Sequence, residues 1–546
     1  MPRIIRVILA SLLTLAATAS LLLLLGKALL GDQLVIRGLR TQSSVNPSLI
    51  LLISVLVLIY LFPGIWRKAR LNLLAILGFV LLFFTLFQYD RYPLSIEGDG
   101  VGYFAYLHSL YFDKDLNFFD EYRVLHAEKY GVHGYINDRG MLMLEPVPQT
   151  GYQPNAFSIG PSLLWYPFYG IADRLQRHSH TRRTGYEPLY LNVIRFGHIL
   201  LGLLGTIFLY RVLICLFPPS VSFLSLVLVI LLSPFYYYQE NMVFYSHICS
   251  YFTMALFIFV FFRVRDRANF LLWGLLGLVT GLVALMRWQN TVIVALPIIY
   301  TAYGVLKNQW IERRILVRET VKTTVFLLFF LIGCLPQLIV FKEIYGRFLI
   351  IPQGSSFISF FPSYLWQTLL SPFHGLFYWH PLLAVGLIGM FIRPRSDIRV
   401  NGQRPFFTLA AIGFSLQTLV NGSIQQFWAG AAFGARRFVD TLGFLAFGFA
   451  NIIDRIRKST LISWIFLGIC LLFSLFNIML ELAFTWNLIP AMSPVRFSAL
   501  LEKAWVSLRS LAASEPRTLV FHLVLLSFIC LLYRFLLRRE RNETAG

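Results

Sequence analysis

Apolar runs long enough to cross a bilayer recur from one end of this chain to the other, and few architectures accept them. A bilayer core takes about 20 apolar residues of helix. Within lipid, backbone amides must be satisfied inside their own helix or inside a closed barrel. The runs fall near 5–25, 48–64, 71–88, 190–213, 220–237, 246–262, 269–286, 290–306, 323–341, 379–392, 405–421, 438–453, 460–480 and 518–536. This pattern predicts an all-α polytopic membrane protein with about fourteen transmembrane helices. Charged residues make up 13% of the chain, against about 25% in soluble domains.

The net charge of +21 would suggest nucleic acid in a soluble protein. Here the basic residues gather in short loops between apolar runs, with no long basic tract interleaved with aromatics, so nucleic acid is not expected as a partner. Arg67, Lys68 and Arg70, then Arg263, Arg265 and Arg267, then Arg393, Arg395 and Arg399, then the tail Arg538, Arg539 and Arg541 alternate as the positive-inside rule requires. Both termini are therefore expected in the cytoplasm, with the run after Arg3 and Arg6 as an uncleaved first helix. The five cysteines lie in or beside apolar runs and form no C-x-x-C pair, which argues against a disulfide framework or a thiolate zinc site.

On this map the polar chemistry faces outward. The largest external section, about 88–189, opens with Glu97-Gly98-Asp99-Gly100-Val101-Gly102-Tyr103, two acids among three glycines just past a span. Asp99 is the best candidate for a general base, because desolvation at an apolar surface makes a carboxylate more basic. Glu97 either shares that site or solvates the turn, and the aromatics that follow suit an interfacial helix. Alternatively, the stretch is a Gly-Asp-Gly turn capping a helix. Asp113-Lys-Asp115 is a D-x-D able to hold a divalent cation (Mg or Mn) with a phosphate, or else a solvated helix end. The apolar segment 157–172 contains Pro161 and Pro167 and is expected to lie along the membrane, since a span there would invert every later loop.

Further candidates sit in later external pieces. Arg436 and Arg437 precede a span and suit bidentate contacts with phosphate, against the alternative of lipid-headgroup anchoring. Arg287 ends another span on the same side. His247 and Glu240 flank the second external loop, which also holds Tyr245, and Trp428 lies within the fourth, which opens at Asn421. A lone histidine at such a place is more often structural. No phosphate-binding glycine loop, dinucleotide fingerprint or H-E-x-x-H is present, so an activated substrate is expected to arrive through the membrane.

At Glu97-Gly-Asp99-Gly, at Asn155-Ala-Phe-Ser-Ile-Gly160-Pro161, at Tyr245-Ser-His247 and at Trp428 to Phe438, the chain resembles the GT-C superfamily of integral-membrane glycosyltransferases. That group includes protein O-mannosyltransferases, oligosaccharyltransferases and the aminoarabinose transferase of lipid A. The resemblance covers roughly 71–440. It differs in placing two extra spans before the loop and in lacking the Asp-Glu pair of the O-mannosyltransferases. It implies an N-terminal hairpin (1–70), a catalytic module (71–440) and C-terminal helices (441–546). It implies a hexosyl- or pentosyltransferase acting with inversion, with Asp99 as base and Arg436, Arg437 and Arg287 on the donor phosphate. Tyr103, Tyr245, His247 and Trp428 would line the substrate. The implied partners are the lipid bilayer, a polyprenyl-phosphate sugar donor and a glycan, lipid or protein acceptor. A bacterial inner membrane with an extracytoplasmic site is the matching location. The competing expectations are a flippase of a lipid-linked sugar, disfavoured by spans almost free of charge, and a polysaccharide polymerase or ligase.

Overall fold

The computed structural model describes residues 3–30, 45–61, 71–86, 94–128, 146–178, 182–307, 313–394 and 404–545. Arg67, Lys68, Arg70, Arg395 and Arg399 lie outside the described residues. Among the described residues the structure is helical, apart from turns, loops and one isolated antiparallel bridge between Ile358 and Ile424. Each of the fourteen expected spans coincides with a helix. Among the described residues, six helices are long and apolar enough to cross a membrane: Pro188–Leu213, His247–Val264, Trp288–Leu306, Arg313–Tyr345, Thr460–Thr485 and Pro516–Glu543. Shorter apolar helices include Leu71–Thr85, Pro219–Leu231 and Phe270–Met286.

One expected span is much shorter than its apolar run. Within 379–392 the helix is Leu383–Phe391, 9 residues, about 13 Å of rise and far less than a bilayer core. His380-Pro381 interrupts it, because proline has no amide hydrogen to continue the preceding turn. This helix instead packs tightly on Leu442–Ile456, where a Cβ placed on Gly389 would stand 2.1 Å from the carbonyl oxygen of Gly448. Close crossings of this kind replace the hydrophobic driving force that is missing between helices in lipid.

Two helices change character at the end where charge enters. Residues Trp288–Val294 form a 3-10 turn before Ala295–Lys307, and Arg436–Thr441 form one before Leu442–Ile456. The tighter winding frees backbone groups and redirects side chains at the helix mouth. Arg287 and Arg436 stand at the start of these two turns.

The section expected outside, as far as it is described, is packed, not draped on the surface. Asp99–His108 is a helix in which every residue from Gly100 to His108 is buried. It was expected as an interfacial helix, but its aromatics face protein: Tyr103 and Phe104 contact Phe157, Tyr169 and Phe244. Asn155 holds the following loop in place by donating from Nδ2 to the Gly102 carbonyl at 2.9 Å. Its amide donates to the Tyr345 hydroxyl at 3.1 Å, and that hydroxyl donates back to its carbonyl oxygen at 2.9 Å. Gly160–His178 is amphipathic, burying Trp165, Tyr169 and Asp173 and exposing Leu163, Tyr166, Ile171 and Leu175. An exposed apolar stripe on a half-buried helix suits a membrane surface.

Candidate active site

Asp99 is the first residue of its helix, in the first turn, where the helix dipole favours a negative charge. Gly98 makes that entry possible. Its φ is +55°, and a Cβ there would lie 2.1 Å from the Tyr245 hydroxyl. The glycine therefore makes room for a tyrosine of this chain. The Asp99 carboxylate does not face bare apolar surface. Its Oδ2 lies 2.8 Å from Nη1 of Arg436, with the two side chains 31% and 13% exposed respectively. Arg436 also lies over the Tyr245 ring, 5.6 Å from its centre. Burial works against the Arg436 charge, but Asp99 and the surrounding tyrosines reverse this and hold the guanidinium above its ordinary value.

A second ion pair lies behind the first. Arg287 Nη1 reaches Asp440 Oδ2 at 3.4 Å and His247 Nδ1 at 3.3 Å. A guanidinium only donates, so Nδ1 of His247 must accept. Asp440 also accepts from the Ser250 hydroxyl at 3.0 Å, Asn290 Nδ2 donates to that hydroxyl oxygen at 2.6 Å, and Gln417 Nε2 donates to the Asn290 side-chain oxygen at 2.8 Å. All of these groups are buried.

Arg437 completes the cluster, and among the described residues it has no acidic partner of its own. It is buried, and Nη1 donates to the Gln426 carbonyl at 2.7 Å. Burial, then the neighbouring charges of Arg436 and Arg287, push its guanidinium down to about 9. Three arginines thus share two carboxylates, Asp99 and Asp440. A buried cation held among like charges is poised for an anion.

The remaining sequence candidates fall into two groups. Tyr103 joins the cluster as a strut: its hydroxyl donates to Ser246 Oγ at 2.9 Å and its carbonyl accepts from Ser162 Oγ at 2.6 Å. Burial and the nearby Asp99 charge push its phenol up to about 12. Tyr245 and His247 sit inside the cluster. Glu97 Oε1 accepts from Ser95 Oγ at 3.0 Å. Trp428 stacks on Phe373, with ring centres 5.2 Å apart, and its carbonyl meets His374 Nδ1 at 2.7 Å. Next to it, Gly434 at φ +55° lets the loop close on His380, whose Nε2 would stand 2.3 Å from a Cβ there.

The D-x-D pair divides. Asp115 accepts from the Ser109 hydroxyl at 2.8 Å and from the Asn117 amide at 3.1 Å, which ends the preceding turn. Asp113 turns towards His108 and Glu121. Sequence reasoning missed Asp440, Tyr238, Ser250 and Asn290. Asp440 had a signal, a lone acid within an apolar run, which usually marks function. Tyr238 had none, because its role depends on distant backbone: its hydroxyl accepts from the Phe433 amide at 3.0 Å.

No family model matches this chain, and no curated protein matches it. Among solved structures it is similar to the oligosaccharyltransferase of Archaeoglobus fulgidus in its apo form, at 12% identity and a TM-score of 0.41, over 85% of this chain and 56% of that one. It is similar to the same enzyme tethered to an acceptor peptide, at 11% identity and a TM-score of 0.39 over 85% and 56% of the two chains. A third similar structure is archaeal AglB from Archaeoglobus fulgidus with an inhibitory peptide and a dolichol-phosphate, at 13% identity and a TM-score of 0.37 over 86% and 56%. The matched region spans little more than half the length of those chains.

Proposed function

We propose that this chain is a membrane glycosyltransferase that moves a sugar from a polyprenyl-phosphate donor to an acceptor hydroxyl, with inversion at the anomeric carbon. The observation that carries this reading is Arg437, a buried cation with no carboxylate partner among the described residues, beside Arg287 and Arg436 and within one cluster with Asp99. An anion site next to a carboxylate is what a displacement with a phosphate leaving group needs.

In the proposed step Asp99 accepts the proton of the acceptor hydroxyl as its oxygen attacks the anomeric carbon. The carbon–oxygen bond to phosphate breaks, and the phosphate leaves with the electron pair. Inversion needs one base and no carboxylate nucleophile, as in inverting glycosidases. Arg436 already serves Asp99 in the free protein and Arg287 pairs with Asp440, so the phosphate falls mainly to Arg437, with Arg287 contributing beside it. This refines the sequence expectation, which treated Arg436 and Arg437 alike. Asp440 and His247 keep the Arg287 guanidinium aimed. On the positive-inside map the site faces the extracytoplasmic side, as the superfamily resemblance implies. The donor sugar, hexose or pentose, is left to experiment.

The test is polyprenyl-phosphate binding to the purified full chain in detergent, with and without Arg437→Gln. Hydrogen bonds to charged groups are worth about 1.5–3 kcal/mol, so affinity should fall about 10- to 150-fold. The same change removes a buried like charge, so the free variant should melt no lower than the parent. Unchanged affinity in the variant would remove Arg437 from the phosphate site and overturn the reading.

A further inference from the structure

We propose a divalent transition-metal site, distinct from the arginine cluster, formed by His108, Asp113 and Glu121. The three residues come from the end of the Asp99–His108 helix, the π-helical turn Ser109–Asp113 and the helix Phe119–Glu128. Each can offer one ligand atom, and these atoms lie within 4.8 Å of one another. His108 Nδ1 is 2.9 Å from Glu121 Oε1 and 3.4 Å from Asp113 Oδ2.

The histidine is oriented as metal ligands usually are. Its Nε2 lies 2.9 Å from the Thr184 carbonyl oxygen. A carbonyl only accepts, so Nε2 carries the hydrogen, and the ring can turn the Nδ1 lone pair towards the two carboxylates. A metal-bound histidine typically donates its other N–H to a carbonyl or carboxylate in this way.

A divalent ion can take the place of a proton at Nδ1. An imidazolium between two carboxylates leaves one negative charge uncompensated, whereas a divalent ion with neutral imidazole balances both acids. Glu121 is fully buried, and among the described residues no donor group serves its Oε2. A buried carboxylate oxygen without a donor is costly, and a metal ion would serve it. One imidazole nitrogen with two carboxylate oxygens suits Zn²⁺, which also takes water as a fourth ligand. Magnesium, which demands six oxygen ligands in a near-ideal octahedron, is a poor match. Asp113 is 44% exposed, so an ion and its water have a route in. Bound there, the ion would pin the far end of the helix that carries Asp99.

The experiment uses the purified full chain without a histidine tag, stripped with chelator and equilibrated with Zn²⁺ alone or Mg²⁺ alone. Bound metal per chain is read by elemental analysis, and stability by thermal unfolding. One Zn²⁺ per chain is expected, with a rise in melting temperature and no comparable Mg²⁺ binding. Asp113→Asn, at a half-exposed position that should not endanger folding, should weaken Zn²⁺ binding at least about 10-fold and abolish the thermal rise. Asp115→Asn should bind as the parent does. A parent that takes up no stoichiometric Zn²⁺, or an Asp113→Asn variant that binds as well as the parent, overturns the site and leaves a His108–Glu121 ion pair. Loss of binding in Asp115→Asn alone overturns it equally. These readouts require no glycosyl transfer, so they stand or fall apart from the proposed reaction.

Discussion

Asp99 and Arg436 form a direct ion pair, 2.8 Å from Oδ2 to Nη1, although one begins the helix Asp99–His108 and the other precedes the helix Leu442–Ile456, more than 300 positions later. The pair gives the carboxylate a fixed orientation and draws Arg436 away from any phosphate. Their energies should therefore be coupled. In a cycle of Asp99→Asn, Arg436→Gln and the double variant, the stability losses should fall short of additivity by about 1 kcal/mol. Thermal unfolding in detergent measures this. Additive losses would mean that the two groups do not interact in solution.

Gly98→Ala tests whether the entry to the Asp99 helix is built as described. The substitution strains a backbone at φ +55° and drives a methyl into the Tyr245 hydroxyl. A loss of at least about 1 kcal/mol is expected from the backbone alone. Adding Tyr245→Phe removes the oxygen and should restore part of the steric loss but not the backbone part. No recovery in the double variant would show that the hydroxyl does not press on this turn.

Asp173 should control the acid limb of stability. Its buried carboxylate accepts from Arg177 at 2.8 Å, from Tyr190 at 2.8 Å, from Tyr111 at 2.9 Å, and from Arg183. Burial alone would raise this carboxyl, but the hydrogen bonds from Arg183, Tyr190, Tyr111 and Arg177 hold it well below the usual carboxylate range. With a depressed folded value, the stabilisation is fully present above the ordinary carboxylate pKa of about 4 and is lost as pH falls below it. Melting temperature followed from pH 7 to pH 3 should drop more steeply for the parent than for Asp173→Asn, which should start lower. Parallel curves would refute this role. The same network accounts for basic residues on a section expected outside the cytoplasm: Arg177 and Arg183 serve a buried acid.

The helices were legible because run length is a local property. Any apolar stretch of 16 to 22 residues must bury itself as helix, whatever its neighbours. Leu383–Phe391 departs from this because a proline inside the run, Pro381, was outweighed by hydropathy. Asp99, Tyr245 and His247 were legible from their place beside spans and from the resemblance, and they come together. The division of labour between Arg436 and Arg437 was not, since adjacent residues on a 3-10 turn point in different directions. Asp113 and Asp115 read as a unit for the same reason, and the π-helical turn with Lys114 at φ 64° separates them. His108 and Glu121 gave no signal, because nothing in their spacing says that one turn brings both to Asp113.

The central claim is that Asp99 takes the acceptor proton while the phosphate is held by other residues, and Asp99→Asn addresses it most directly. The amide keeps the size and much of the hydrogen bonding of the carboxylate but cannot accept a proton at neutral pH. It also releases Arg436. Turnover of a labelled polyprenyl-phosphate sugar by the purified variant should fall about 100- to 10,000-fold, while affinity for the polyprenyl phosphate stays equal to the parent or tightens. Near-normal turnover, or a collapse of phosphate affinity in a monodisperse variant, would contradict the account.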